Sequence, residues 1–406
     1  MFGLLRKSTT YTLNQLAGMA GWIGWGSAAG INVTETTALD VPVVFCAARV
    51  IAEGIGQMPV RVVAETYDAN GLARLTIRRD HPAHRLLAVR PNGWQTSYEF
   101  REGMIFNAAL AGGSIAIKNV VGGEVRELLP VPAGSWTVEQ LADWVLRIRV
   151  DYSDKTHDYF DLGQVFYLRG PSLDGFRGLA AIRQAREAIG LSKALERQQA
   201  KLAGNGGKPS GVLTFAQPLK PETKDKLRET WQEKFGANGD GGIAILDGDA
   251  KFQSMTMTSV DAQYIETRRL QVEEIARVFR VQPIMLMQAD KAATFASAEQ
   301  MFRNHVIHTL GPWIERFEQA ANRDILSNET GLRVDLDERN LLRGDFKDQA
   351  EYYAKALGAG GTPAWMTQNE IRVEVGLNPV DDESANRLST GAMNQGANPE
   401  GATDGI

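Results

Sequence analysis

The chain has 406 residues, of which 43% are hydrophobic and 23% are charged, and its formal net charge is -5. This length exceeds one typical core, so two or more structural units are expected. The acidic balance argues against a protein that coats DNA, because phosphate binding needs an excess of Lys and Arg, and the single cysteine, Cys46, excludes an intrachain disulfide.

Residues 1–39 precede the first strong helical pattern. Their apolar stretch, residues 16–26, is too short and too rich in glycine to span a bilayer, which needs about 20 apolar residues. Arg6 and Lys7 ahead of it leave a weak signal peptide as the alternative. We predict a flexible arm that packs on a neighbouring subunit, and no membrane contact.

A mixed α/β region is predicted for residues 40–170. Helices are predicted at residues 40–56 and from Thr96, where Thr96 and Glu99 have the spacing of a capping box. Strands are predicted at residues 60–65, 115–121, 124–128, 145–150 and 164–169. Gly122 and Gly123 indicate a hairpin turn between two of these strands.

The pattern at residues 179–202 becomes helical and basic, with the cations Arg183, Arg186, Lys193, Arg197 and Lys201. A solvated helix face explains these charges at least as well as a functional site does. Next come predicted strands at residues 211–215 and 242–246, separated by a helix at residues 221–235 with Pro221 at its first position.

Two helical patterns flank the most unusual segment. The first places Ile265, Val272, Ile275 and Phe279 on one face, and the second does the same for Phe302, Val306, Leu310, Trp313 and Phe317. Pro283 should end the first helix. Ser297 is the predicted N-cap of the second helix, with Gln300 completing a capping box.

The loop between these helices, residues 281–296, is apolar and rich in methionine. Ile284, Met285, Leu286, Met287 and Phe295 should be buried, unless a repeated subunit or a large ligand covers them. The loop is therefore interpreted as a contact surface.

Gly311 and Pro312 predict either a kink in one long helix or a break between two helices. Further helices are predicted at residues 343–357 and 367–375, separated by the glycine-rich break at residues 358–361. The polar tail, residues 381–406, is predicted to be disordered.

No catalytic, cofactor or metal site is nominated, and enzyme activity is not expected. Residues 204–210 have the glycines and lysine of a phosphate loop, but Pro209 separates the lysine from Ser210 and a helix precedes them. His305 and His308, like His81 and His84, are three residues apart. Neither pair has a cysteine or a clear carboxylate at ligand spacing.

Short segments in a fixed order carry a family resemblance. They are residues 44–60, 81–87, 90–92, 96–100, 172–175, 178–179, 188–190, 209–213, 275–286, 341–345 and 367–372. In this order they resemble the compact portal proteins, or head-tail connectors, of long-tailed, lambda-like bacteriophages. An ordered series from about residue 40 to about residue 380 is more specific than any single motif.

The resemblance implies an α+β portal fold assembled as a ring, which has twelve subunits in related portals. Its expected parts are an N-terminal arm (1–39), the first part of a mixed α/β wing (40–177), stem helix 1 (178–204), a small α/β clip (205–258), stem helix 2 (259–281), a tunnel loop (282–296), a long kinked helix with a return to the wing (297–340), a helical crown (341–380) and a disordered tail (381–406).

The implied function is a structural one in the virion. A portal at one capsid vertex passes double-stranded DNA during packaging and ejection, and it docks the large terminase subunit and later the head-tail adaptor. Its other expected partners are the major capsid protein and the scaffold, with assembly in the host cytoplasm. The alternative is another ring-forming head-tail connector component.

The resemblance also assigns residues to sites. It puts Gln282, Ile284, Met285, Leu286, Met287, Lys291 and Thr294 in the tunnel loop next to DNA. It makes Arg183, Arg186, Lys193, Arg197 and Lys201 a basic face of the stem. It gives Lys220, Lys224, Arg228 and Trp231 to the clip, for motor and adaptor docking.

Overall fold

The computed structural model describes residues 25–67, 73–141, 144–204, 211–214, 220–226, 229, 251–254, 260–288, 295–326, 329–338, 341, 346–361, 363–375, 377 and 380–389. These residues form a mixed α and β fold, as the sequence predicts. The chain divides into two compact units, Met1–Asp337 and Glu338–Ile406.

The strands of the first unit are β1 Trp25–Gly26, β2 Asn32–Val33, β3 Val60–Tyr67, β4 Ala73–Ile77, β5 Gly113–Val121, β6 Glu124–Val131, β7 Trp136–Gln140, β8 Leu146–Asp151, β9 His157–Asp161, β10 Val165–Arg169, β11 Gly211–Thr214, β12 Lys251–Ser254 and β13 Leu332–Leu336. They pair antiparallel as β1-β2, β10-β5-β6, β11-β12, β13-β3-β4 and β7-β8-β9. The predicted hairpin is confirmed, because Gly122 and Gly123 join β5 to β6 with positive φ.

Besides the single helical turn Pro82–His84, the helices of the first unit are α1 Glu35–Leu39, α2 Pro42–Gly56, α3 Ser97–Ala111, α4 Ala181–Gln184, α5 Arg186–Gly204, α6 Val260–Phe279, α7 Phe295–Asn304 and α8 Gly311–Asp324. Two π-helical segments, Arg85–Val89 and His305–Leu310, accompany them. The basic helical pattern at residues 179–202 is thus two helices, separated at Ala185. Helix α7 begins at Phe295, so Ser297 lies inside it and the predicted N-cap is wrong.

Residues 25–40 form a strap along α5. The Ala28 amide donates to Glu187 over 2.9 Å, and the ammonium of Lys193 pairs with Asp40 at 2.5 Å. Ile31 and Val33 are buried beside these contacts. The predicted arm is therefore a folded part of its own chain from Trp25 onward, while residues 1–24 lie outside the described part.

Helices α2 and α3 pack against each other around a buried arginine. The Arg101 guanidinium donates to the carbonyls of Gly56, Met58 and Leu87 and to the hydroxyl of Ser97. Burial lowers its pKa to about 10. The carbonyls left free at the end of α2 thus receive a cationic donor from α3.

One helix closes the edges of two sheets. The Tyr167 amide of β10 donates to Asp324 of α8 over 2.8 Å, and Arg323 returns a bond to the Tyr167 carbonyl. On β13, the amides of Val334 and Leu336 donate to the α8 side chains Asn322 and Glu318. Because β10 and β13 are edge strands, these side chains replace a missing neighbouring strand.

A π-helical segment, His305–Leu310, interrupts the long helical region before Pro312. Val306, Leu310, Trp313 and Phe317 are buried on one face as predicted, but Phe302 is 54% exposed. A π-helix has more residues per turn than an α-helix. The face of the helix on which Phe302 lies is therefore out of register with the buried face that follows the π-helical segment. In α6, likewise, Ile275 and Phe279 are buried whereas Ile265 is exposed.

The second unit contains α9 Phe346–Ala356 and α10 Gln368–Glu374. The amides of Trp365 and Met366 donate to the Ala356 carbonyl, and the rings of Tyr352 and Trp365 lie 5.4 Å apart. Residues Glu383–Asn386 form a helical turn, whose Asn386 accepts from Asn369. The prediction of disorder therefore fails for this turn, and residues 390–406 lie outside the described part.

Candidate functional site

The loop at residues 281–296 starts from a firmly held helix end. Helix α6 ends where Arg280 adopts a left-handed conformation, with φ 57, and the Val281 amide donates to the Ala276 carbonyl over 2.9 Å. The Arg280 carbonyl accepts from the Thr309 hydroxyl at 2.7 Å. This bond ties the start of the loop to the helical region that follows it.

A short turn, Pro283–Leu286, opens the loop, with Pro283 at its first position. Helix α6 ends four residues earlier, at Phe279. Ile284, Met285 and Leu286 are half-buried, while Met287 is 92% exposed and has φ 61. The Met287 amide donates to the Ile284 carbonyl over 3.2 Å. The unbranched thioether side chain of Met287 is thus exposed to solvent on a hydrogen-bonded turn.

Of the other residues predicted for the loop, the structure describes Gln282 but not Lys291 and Thr294. Gln282 precedes the turn, and its side-chain oxygen is buried without a hydrogen-bond partner among the described residues. Lys291 and Thr294 lie outside the described residues. The structure thus describes the base of the loop and its first turn.

The predicted basic face is divided between α4, which carries Arg183, and α5, which carries the other four cations. Lys193 is engaged with the strap, because it also donates to the Thr37 carbonyl and its side chain is only 12% exposed. Arg183 and Arg197 are exposed, and Arg186 pairs with Glu187 at 3.4 Å. The side chain of Lys201 lies outside the described part.

An ion pair joins α5 to α6. Arg268 donates to Glu196 over 3.0 Å and also to the Tyr264 hydroxyl. Both partners of the ion pair are partly exposed, so it contributes at most about 1 kcal/mol. Apolar packing of the two helices, more than this pair, must keep them together.

Two of the predicted docking residues fall in the described part between α5 and α6. Lys220 and Lys224 are exposed, and the Lys224 amide donates to the Lys220 carbonyl as a helical turn begins. Arg228, Trp231 and the predicted strand at residues 242–246 lie outside the described residues. The described partner of β11 is instead β12, with Gly211 opposite Ser254.

The histidines of the two predicted pairs have different surroundings. The ring of His81 accepts from the Ala83 amide through Nδ1, and its Nε2 lies 2.7 Å from Glu329, so both nitrogens are engaged. His305 is buried, which lowers its pKa, whereas His308 is exposed. Among the residues that the structure describes, no three His, Cys, Asp or Glu side chains gather as metal ligands would.

Sequence reasoning missed the groups that hold this region in place. These are the edge-closing residues Glu318, Asn322, Arg323 and Asp324, together with the strap along α5. Glu318 and Asn322 are four residues apart on α8, which was the one local signal available. In addition, none of the described helices is both long and apolar enough to cross a membrane.

Comparison with protein families matches residues 42–376 to the model described as phage portal protein. The chain is 27% identical to the portal protein of Enterobacteria phage HK97 over 356 residues, which cover 86% of this chain and 81% of that protein. It is 28% identical to the probable portal protein of Streptomyces phage phiC31 over 381 residues, covering 89% and 79%.

Solved structures show the same fold. An HK97-family phage portal protein from Corynebacterium diphtheriae superposes with a TM-score of 0.57 at 17% identity, covering 78% of this chain and 98% of that one. A chain from the neck of a native gene transfer agent particle, computed with C12 symmetry, gives 0.58 at 21% identity, covering 92% and 100%.

Proposed function

This chain belongs to the phage portal protein family, and from that premise we propose that twelve copies form a ring around an axial channel for double-stranded DNA. The ring occupies one vertex of a capsid. There it docks the terminase motor during packaging and the head-tail adaptor afterwards, in contact with capsid protein and scaffold. It acts as a structural component of the virion, without chemistry of its own.

The observation that carries this proposal is the exposed apolar turn at the base of the loop. Met287 projects into solvent next to half-buried Met285 and Leu286, on a turn held by the bond between Thr309 and Arg280. Burying such side chains requires a repeated copy or a long ligand. A ring around DNA supplies both.

The channel must let DNA slide. Each Lys or Arg that neutralises a phosphate adds affinity, and a ring multiplies that contribution by the number of subunits. Flexible methionine side chains instead offer a deformable contact without a fixed charge. We therefore assign α4 with α5 and α6 to the stem, the segment between them to the clip, residues 282–296 to the tunnel loop and residues 341–380 to the crown.

Negative-stain microscopy of the purified full-length protein tests the assembly. End-on views should show a ring of about twelve subunits with a central hole. A uniform monomer or dimer at all salt and protein concentrations would rule out the conduit.

A packaging assay tests the loop. Replacing both Met285 and Met287 with Asp should lower DNA packaging or retention at least about tenfold, because a ring of carboxylates repels phosphates. The control is Leu173→Asp, which adds one charge at a side chain that is 88% exposed outside the loop. Unchanged packaging in the double variant would remove the loop from the channel.

A further inference from the structure

A pocket of about 560 Å³ lies where the strap meets β7 and the start of α4. The side chains of Trp25, Trp136, Val138 and Leu179 give it an apolar lining. Trp136 is held in place by an edge-to-face contact with Tyr167, whose ring centroid is 5.6 Å away. Ligand pockets in proteins have volumes of about 300–1,000 Å³, so this one can hold several amino-acid side chains.

Glu35 gives the pocket a negative charge that lacks a partner. Glu35 is the first residue of α1 and lines the pocket. Its carboxylate has no hydrogen bond or ion pair with another residue that the structure describes. Burial raises the pKa of this carboxyl group. The other carboxylate of the pocket, that of Glu139, is already paired with Arg147 at 2.7 Å.

The two arginines that line the pocket do not neutralise Glu35. Arg177 donates to the Val138 carbonyl over 3.2 Å. Arg183 is exposed and contributes nothing to the electrostatic surroundings of Glu35. A partly buried carboxylate is stabilised by a cation or another hydrogen-bond donor. The pocket therefore favours an occupant that combines apolar groups with a positive charge.

The described chain begins at Trp25, which is itself a wall of the pocket. Two contacts fix its position. Trp25 pairs with the fully buried Val33 between β1 and β2, and the bond from Ala28 to Glu187 holds the strap on α5. Residues 1–24 are therefore attached to the chain at the edge of this pocket.

The sequence of residues 1–24 has the chemistry that the pocket favours. Arg6 and Lys7 are its charged residues, and it contains no Asp or Glu to compete with Glu35. Both cations are close enough along the chain to reach the pocket, because each extended residue spans about 3.3 Å. Apolar side chains lie between these cations and Trp25, namely Leu13, Leu16, Met19, Trp22 and Ile23.

Attachment to the same chain favours this segment over any free competitor. A segment joined to its site by a short linker has an effective concentration of the order of millimolar. An intrinsic dissociation constant of about 1 mM is then sufficient for half occupancy. A free partner at micromolar concentration with the same affinity would leave the pocket almost empty.

We infer that residues 1–24 occupy this pocket of their own chain, with apolar side chains against Trp25 and Trp136 and with Arg6 or Lys7 at Glu35. This inference concerns a single subunit and does not depend on the proposed ring. A segment bound there bridges the strap, β7 and α4, and so links the start of the proposed stem to the sheet.

Cysteine alkylation measures the occupancy of the pocket in isolated monomers. In a Cys46→Ser background, Thr137→Cys places the only thiol on an exposed residue of β7 that lines the pocket. Deletion of residues 2–24 should speed its reaction with a bulky maleimide at least about tenfold. The matched control is Leu173→Cys at a side chain that is 88% exposed outside the pocket, and its rate should not change with the deletion.

The charges are tested in the full-length chain, so this measurement does not require the shortened protein to fold. Replacing both Arg6 and Lys7 with Gln should speed the reaction of Thr137→Cys about threefold or more, and Glu35→Gln should do the same. The three changes together should add little to either, because each removes the same contact. Equal rates in the unchanged segment, the charge variants and the deletion would overturn the inference.

Dilution separates the chain's own segment from that of a neighbouring copy. Protection of Thr137→Cys by the chain's own segment should be independent of protein concentration. Protection that appears only in rings, or that increases with concentration, would assign the pocket to the neighbour's segment and overturn the inference. Failure to form rings would contradict the proposed function, whereas the alkylation rates of monomers would still decide this inference.

Discussion

Three glycines join the end of α3 to the start of the region that leads into α4. The Gly170 amide donates to the Gly112 carbonyl over 2.8 Å, and Gly112 itself has a φ of +85. A Cβ at Gly178 would lie 1.6 Å from the Gly112 oxygen. The backbones can approach this closely only because no side chain stands between them.

Gly178→Ala should therefore destabilise the protein by about 3 kcal/mol or more, because the Cβ position is fixed by the backbone and the Gly112 carbonyl that it meets is itself backbone, so neither can rotate away. Urea unfolding followed by circular dichroism measures the effect. The control is Gly103→Ala in the middle of α3, where nothing lies within 4 Å of the new methyl group. That variant should be stabilised by about 0.5–1 kcal/mol. Equal stability of the two variants would contradict the close approach of the Gly112 and Gly178 backbones.

At the scale of elements, α8 holds two sheets through side chains that bond to strand edges. One of these side chains, Glu318, has a pKa raised to about 7, chiefly by burial, although its bond from the Leu336 amide opposes the shift. Its carboxyl is ordinarily half-protonated near pH 4.5. The folded state thus binds a proton more tightly than the unfolded state does, and this contribution to stability is lost as the pH rises from about 5 through 7.

Glu318→Gln should remove that loss, because the amide keeps an oxygen for the Leu336 amide but does not ionise. From pH 5 to pH 8, the free energy of unfolding of the variant should increase by about 1–2 kcal/mol relative to that of the unchanged protein. This figure includes a reduction for partial solvent screening of Glu318. Urea midpoints at the two pH values give the comparison. A difference that stays constant with pH would show that Glu318 does not titrate in this range.

Thr309 links two other elements, α6 and the π-helical segment. Thr309→Val keeps the shape of the side chain but leaves the Arg280 carbonyl without its hydroxyl donor, at a cost of about 1–3 kcal/mol. Hydrogen exchange should become faster at the amides of Arg280 and Val281. Thr309→Ser, which retains the hydroxyl, should stay close to the unchanged protein. If both variants exchange alike, the hydroxyl does not hold the loop base.

On the scale of the whole molecule, net charge governs assembly. Twelve copies at -5 each carry 12 × -5 = -60, and this repulsion opposes closure of the proposed ring. Raising the salt concentration from about 0.01 M to about 0.1 M shortens the screening length from about 30 Å to about 10 Å.

The fraction of subunits in rings should therefore rise with salt over this range, as measured by sedimentation velocity at fixed protein concentration. Added sucrose, which does not screen charge, is the control. The fraction of subunits in rings should still rise with salt when sucrose is present. Rings that dissociate as salt increases would mean that attraction between charged surfaces dominates the interface.

The sequence by itself determined the features that depend on near neighbours in the chain. The capping box of Thr96 and Glu99, the turn at Gly122 and Gly123, and the turn that begins at Pro283 all follow from contacts within a few residues. The ordered family segments likewise indicate the portal fold.

Only the tertiary structure decided the long-range features. Strands β1, β2, β4, β7, β9, β12 and β13 escaped prediction because short strands gain their stability from partners elsewhere. Asp324 bonds to Tyr167 across 157 residues of sequence, and no local pattern announces such a pair. The π-helix left Phe302 exposed, since register within a long helical region depends on what packs against it and not on spacing alone.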